Sequence, residues 1–202
     1  MKRFTVILLA ALFACQTAGA QSLGDLLKML GFGGSSQTEQ VAENPKPALT
    51  AEGLLGRWRY AEPASRYDGS DMLGSFGVKA VETMLPSVYA KAGLSEGSAA
   101  VTFTAPDTVS GQIGDYTLTG RYTFDESSGT LTVSATIGGV DGVLHGTAAL
   151  ENGVLTLLFD AQEAASVAER VSSRVASNDK FQMMKSLLNS YPGVKMGCRM
   201  RR

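Results

Sequence analysis

Apolar and polar residues alternate with a period of two between residues 99 and 160, which is the pattern of half-buried β-strands. The clearest run extends from Tyr116 to Phe124, where every second residue is threonine or arginine. Turn residues such as Asn152-Gly153 separate the runs. Together they predict six strands, at residues 99–104, 108–113, 116–124, 131–137, 143–150 and 154–159.

The period changes to that of an α-helix on both sides of this strand region. Residues 70–93 carry an apolar stripe at helical spacing, with Ser70 or Asp71 as the N-cap. We expect Pro86 to kink this helix or to start a second one. Residues 164–191 carry two helical stretches, of which the second is capped by Asp179.

Two more strands lie outside these helices, at residues 57–62, where Pro63 is expected to end the strand, and at residues 194–200. The chain therefore has eight predicted strands, and the last can pair with the first. Eight strands suffice for an antiparallel up-and-down barrel that closes around side chains or one small ligand. We predict such a barrel, with helical insertions between strands 1 and 2 and between strands 7 and 8. A two-sheet β-sandwich is the alternative.

The first twenty residues have the features of a secretory signal peptide. A basic start at Lys2-Arg3 precedes an apolar run that is too short to span a bilayer. Ala18-Gly19-Ala20 matches a cleavage site, and we favour cleavage after Ala20. The alternative is a lipobox in which Cys15 is lipidated and becomes the first mature residue. Both readings predict export, to the periplasm or the outer membrane.

A linker is predicted at residues 21–48, ahead of a folded domain at residues 49–202. The linker starts with a short amphipathic stretch between Leu23 and Leu30 and continues as a spacer rich in glycine, serine and proline. The amphipathic stretch can contact a membrane surface or a partner, or rest on the barrel, which we favour slightly. Loss of residues 1–20 changes the net charge from −1 to −3, which argues against a nucleic-acid partner.

The sequence offers few residues that could catalyse a reaction or bind a metal. It contains none of the common catalytic motifs, and with His145 as its single histidine it offers no zinc constellation. His145 lies on the polar phase of its strand and is expected to be exposed. Cys198 alternates with apolar residues, which favours a buried, inert thiol. We therefore expect no catalytic residue, no metal and no cofactor.

The segment Gly56-Arg57-Trp58 resembles the Gly-x-Trp signature that opens the first barrel strand of lipocalins. The chain is also similar to an uncharacterised lipocalin-like family of envelope proteins from gut Gram-negative anaerobes. The segments that carry this likeness are Gly56 to Tyr60, Pro63-Ala64, Tyr89 to Gly93, Gly120 to Phe124 and Phe159 to Ala161.

This resemblance implies a calycin-type barrel, secretion and no established activity. It also implies that Gly56 and Trp58 are structural, with Trp58 packed at the closed end of the barrel under an arginine. Arg121 or Arg199 could supply that guanidinium.

We expect a non-enzymatic protein that binds a small apolar ligand inside the barrel. The expected lining residues are aromatic or methionine: Tyr116, Tyr122, Phe124, Met196 and Met200. The alternative is a filled barrel that serves as a structural or protein-interaction module of the cell envelope. The partner is then a small hydrophobic ligand or an envelope protein, and membrane contact is limited to a lipid anchor or the amphipathic N-terminus.

Overall fold

The computed structural model describes residues 49–69 and 72–202. The predictions for residues 1–48, which include cleavage after Ala20, lipidation at Cys15 and the linker, lie outside the described residues. The N-cap predicted at Ser70 or Asp71 lies outside them as well.

Eight antiparallel strands form a closed barrel in the order in which they follow along the chain. Each strand pairs with the next, and β8 pairs back with β1, which closes the sheet. The predicted up-and-down barrel is therefore confirmed, and the two-sheet sandwich is wrong. The strands are β1 Gly56–Tyr67, β2 Ala99–Thr104, β3 Thr108–Ile113, β4 Tyr116–Asp125, β5 Thr130–Ile137, β6 Val140–Glu151, β7 Val154–Asp160 and β8 Val194–Arg201.

The first strand is longer than its sequence predicted. Its beginning pairs with β2 as far as Arg59, and its remainder pairs with β8 as far as Tyr67, with a register shift after Tyr60. Pro63 therefore lies where β1 has a strand partner on one side only. A residue without a backbone N–H is tolerated at such a position, because the unpaired side has no ladder hydrogen bond to lose. The prediction that Pro63 ends the strand is wrong.

The described part of the chain has five helices beside the barrel strands, at α1 Ala51–Leu54, α2 Met72–Lys91, α3 Ala161–Val171, α4 Ser173–Ala176 and α5 Asp179–Ser190. The predicted insertions between strands 1 and 2 and between strands 7 and 8 are thus present. Helix α2 continues through Pro86, so this proline does not start a second helix. The side chain of Asn178 accepts a hydrogen bond from the Phe181 amide and caps α5, so the cap lies one residue before the predicted Asp179. None of the described helices is both long and apolar enough to cross a bilayer.

The buried side chains form two clusters. One lies in the barrel interior, and we call the part of the barrel around its residues Leu54, Trp58, Phe103 and Leu131 the closed end. The other joins α2, α3, α4 and α5 to the opposite part of β8, around Val194 and Met196. We call the part of the barrel beneath these helices the covered end.

Candidate functional site

Trp58 plugs the closed end of the barrel. Its side chain is 1% exposed and packs in the interior cluster with Leu54, which is fully buried. The indole N–H donates a hydrogen bond to the carbonyl oxygen of Leu54, at 2.9 Å, so the buried ring has its polar atom satisfied. Helix α1 is capped by Thr50, whose hydroxyl accepts from the Gly53 amide. Trp58 is therefore a packed residue of the core, and the structural role of the Gly-x-Trp segment stays a prediction.

The arginine that stacks on Trp58 is Arg202. Its guanidinium carbon lies 4.7 Å from the centroid of the Trp58 ring. The same guanidinium donates hydrogen bonds to the carbonyl oxygens of Gly53 and Leu55, which ties the end of β8 to helix α1. The expectation that Arg121 or Arg199 holds this position is wrong. Arg121 is exposed and pairs with Asp107, and Arg199 pairs with Glu62.

Arg202→Ala is expected to cost about 1–2 kcal/mol of unfolding free energy, because a cation–π contact and hydrogen bonds to two backbone carbonyls are lost together. Arg121→Ala removes an exposed ion pair and is expected to cost less than about 1 kcal/mol. Urea unfolding of the two variants beside the parent chain measures this difference. Equal losses in the two variants would contradict the role given to Arg202.

Gly56 is the first residue of β1, and its φ of +110° is a backbone conformation that other residues rarely adopt. A Cβ built there meets no atom within 4 Å, so the glycine is required by its backbone conformation alone. The glycine therefore sets the turn from helix α1 into the strand that carries Trp58.

A cavity of about 240 Å³ lies between the barrel interior and the helices at the covered end. The barrel contributes residues such as Val101, Ile113 and Leu144, and the helices contribute residues such as Val167 and Phe181. Among the residues that the structure describes, no charged side chain lines this cavity. It is a recess of the kind that holds small apolar ligands, because its walls are almost entirely apolar.

Three of the five predicted lining residues reach this cavity, namely Tyr116, Met196 and Met200. Tyr122 and Phe124 do not line it. Tyr122 instead packs edge-on against Phe103, with ring centroids 5.1 Å apart and an interplanar angle of 85°. Phe124 packs against the interior cluster of the closed end. The alternation assigned the right face to both residues, but it carries no information on depth along the barrel axis.

The helical part of the lining was missed at the sequence level. Tyr89 of α2, Ala168 of α3 and Val175 of α4 all face the cavity. Their apolar stripes were visible as helical periodicity, but periodicity does not say which surface a stripe covers. Tyr60 of β1 also lines the cavity and was missed. Its alternation with Trp58 was the available signal.

Few polar groups face the cavity, and burial keeps them neutral. Burial raises the pKa of the Cys198 thiol to about 12, so this thiol keeps its proton at neutral pH, and its inertness stays a prediction. Burial also raises the pKa of Tyr89, whose hydroxyl donates to the carbonyl oxygen of Gly197 at 3.0 Å. The pKa of Tyr60 rises to about 12, mainly through burial, with smaller contributions from Cys198 and Glu62.

His145 has a structural partner on α3. Its side chain is 59% exposed, in agreement with the sequence, and its Nδ1 lies 2.9 Å from a carboxylate oxygen of Glu163. The other oxygen of Glu163 accepts from the His145 backbone N–H at 2.8 Å. Glu163 thereby fastens α3 to β6. Within residues 49–69 and 72–202, no group of three or more histidine, cysteine, aspartate or glutamate side chains could hold a metal ion.

A second depression, of about 520 Å³, lies beside the β5–β6 hairpin. Hydroxyl-bearing residues, Asp141 and Arg170 line it together with main chain at Gly120 and Gly142. It is open to solvent and mixed in polarity, whereas the cavity at the covered end is apolar and lies under the helices. The cavity is therefore the better candidate for a ligand site.

The closed barrel agrees with the family whose model the sequence matches. The family model described as "Lipocalin-like domain (DUF4923)" matches residues 32–202. The chain belongs to this lipocalin-like family. No curated protein and no solved structure matches the chain significantly. The family description gives this lipocalin-like domain a fold and names no ligand, so its function has to be inferred from the cavity.

Proposed function

We propose that this lipocalin-like domain binds a small apolar molecule in the cavity at the covered end. The observation that carries the proposal is the contrast between the two ends of the barrel. Large side chains such as Trp58, Phe103 and Leu131 fill the closed end, whereas the side chains beneath the helices leave a recess of about 240 Å³. Protein interiors are close-packed, so a recess of this size between two packed layers is space that a ligand could fill.

The cavity volume sets the size of the ligand. About eight groups of about 30 Å³ each fit into about 240 Å³. Burial of about eight methylene-sized groups, at about 0.8 kcal/mol each, gives about 6 kcal/mol of binding free energy. That free energy corresponds to a dissociation constant of some tens of micromolar. A simple aromatic hydrocarbon or a chain of about eight carbons therefore has the right volume for this cavity.

The remaining features fit a binder that does no chemistry of its own. The described residues place no charged group in the cavity lining, and burial keeps the Cys198 thiol protonated. The filled-barrel alternative, a structural or interaction module of the envelope, agrees with the closed end but leaves the cavity unexplained. Export remains part of the proposal, supported by the signal-like residues 1–20, with cleavage after Ala20 or lipidation at Cys15.

Ala168→Leu is the sharpest test of the site. Ala168 lies on α3 and faces the cavity, and leucine is a good helix former that would occupy much of the void. We expect toluene to bind the parent chain with a dissociation constant in the range of tens to hundreds of micromolar. Affinity in the variant should fall at least about tenfold, because the added side chain excludes the ligand. Calorimetric titration measures both.

Ala90→Leu is the matched control, because the same substitution then lies on an exposed position of α2. It should leave toluene binding unchanged. Equal toluene affinity in Ala168→Leu and the parent chain, or no binding to the parent chain, would contradict the proposed site. Mass spectrometry of an organic extract of the purified chain would identify the natural ligand.

A further inference from the structure

We propose that the ligand is an uncharged molecule that carries one hydroxyl or carbonyl oxygen, and that the hydroxyl of Tyr60 binds this oxygen. This inference rests on the proposed function and narrows the chemical class of its ligand. It follows from two properties of the cavity, which are the absence of charge in its walls and the position of Tyr60.

The walls cannot compensate an ionised group. The cavity is lined by aliphatic, aromatic and sulfur-containing side chains, together with Ser172 and three tyrosines. A carboxylate or an ammonium group brought into such a site loses its hydration without meeting a counter-charge. An apolar chain with an ionised head is therefore bound only in its neutral form, or with the head outside.

Tyr60 is a buried polar residue of the lining that could bind a ligand. Its side chain lines the cavity and is 6% exposed, and among the described residues its hydroxyl has no hydrogen-bond partner. Of the other polar side chains in the lining, Tyr116 is only partly buried, and Tyr89 and Ser172 already have partners. Tyr89 donates to the carbonyl oxygen of Gly197, and the Ser172 hydroxyl accepts from the Val175 amide as the cap of α4. A ligand oxygen in the cavity would give the Tyr60 hydroxyl a hydrogen bond that the described residues do not supply.

The protonation state of Tyr60 suits this role. Burial raises its pKa to about 12, so the phenol keeps its proton throughout the physiological range. A neutral phenol donates to a carbonyl oxygen and can both donate to and accept from a hydroxyl. Its ring also packs at 6.2 Å from that of Tyr89, which holds the hydroxyl in place.

Three probes of similar size test the proposal, namely octanol, octanoate and toluene. Octanol carries an uncharged oxygen, octanoate carries a charge, and toluene has no polar atom. At about pH 7.5 about one octanoate molecule in a thousand is protonated, since the pKa of a carboxylic acid is near that of glutamate. Octanol should therefore bind at least about a hundredfold more tightly than octanoate. Octanoate affinity should rise about tenfold for each unit by which the pH falls towards about 5.5, because the neutral acid becomes more abundant.

Tyr60→Phe removes the hydroxyl and keeps the ring. We expect octanol affinity to fall about threefold to tenfold, the range for one hydrogen bond, and toluene affinity to stay unchanged. Tyr122→Phe is the matched control, because Tyr122 is equally buried but packs against Phe103 away from the cavity. It should leave the affinities for both probes unchanged.

The outcomes distinguish this inference from the proposed function. The proposed function and this inference are both supported if the parent chain prefers octanol to octanoate and if Tyr60→Phe loses affinity for octanol but not for toluene. If octanoate binds as tightly as octanol, or if Tyr60→Phe binds octanol normally, the inference is overturned while toluene binding still supports the apolar site. If none of the three probes binds the parent chain, the proposed function and this inference fail together.

Discussion

Replacement of Trp58 by alanine is expected to lower the free energy of unfolding by about 3–5 kcal/mol, the range for large aromatic residues cut back in a core. The ring is 1% exposed and is packed by Leu54 and the barrel interior. Its loss opens a void, leaves the carbonyl oxygen of Leu54 without its donor and removes the surface on which Arg202 stacks. For a domain of this size the melting temperature should fall by about 6–20 °C.

Trp58→Phe separates the packing contribution of the ring from that of its hydrogen bond. The phenylalanine ring keeps most of the packing but cannot donate to Leu54, so we expect a smaller loss of about 1–3 kcal/mol. Thermal unfolding followed by circular dichroism measures both variants. A melting temperature within about 2 °C of the parent value for Trp58→Ala would refute the plug at the closed end.

Replacement of Gly146 by alanine is expected to be comparably harmful, at about 3 kcal/mol or more. Gly146 lies within β6, and a Cβ built there would be 2.1 Å from the carbonyl oxygen of Leu158 and 2.8 Å from the Cα of Phe159. Both atoms belong to the backbone of β7 and cannot move aside by a change of rotamer. The methyl group would therefore push β6 and β7 apart and disrupt the barrel wall that they form.

Gly142→Ala in the same strand is the matched control. A Cβ at Gly142 would lie 2.8 Å from a methyl carbon of Val167, which is the end of a side chain. We expect a clearly smaller loss, of about 1 kcal/mol, because that side chain can shift at the edge of the cavity. Urea unfolding of both variants provides the comparison. Equal stability of Gly146→Ala and Gly142→Ala would show that the close approach at Leu158 does not constrain the barrel.

The strands of the barrel were predictable because their signal is local. A period of two and turn pairs such as Asn152-Gly153 mark β2 to β7 with small errors at the ends, since alternation depends only on which face of a strand is buried. The length of β1 was not predictable. Pro63 is compatible with a strand only because β2 stops pairing at Arg59, and that register is set by residues about forty positions away.

The sequence predicted which face of each strand points into the barrel, but it did not predict how far along the barrel axis each residue lies. Tyr116 and Tyr122 share one side of β4, yet Tyr116 reaches the cavity and Tyr122 packs on Phe103. The difference arises from the tilt of the strands and from the helices that cover one end. Neither is encoded in the alternation of a single strand.

The sequence by itself determined that this chain forms an eight-stranded barrel with a buried tryptophan at its start, because strand periodicity, turn chemistry and a Gly-x-Trp segment are local properties. Tertiary structure alone decided that Arg202 stacks on Trp58 and that the helices leave a cavity over Tyr60. Both depend on which distant surfaces meet when β8 closes on β1, and a local pattern cannot specify that meeting.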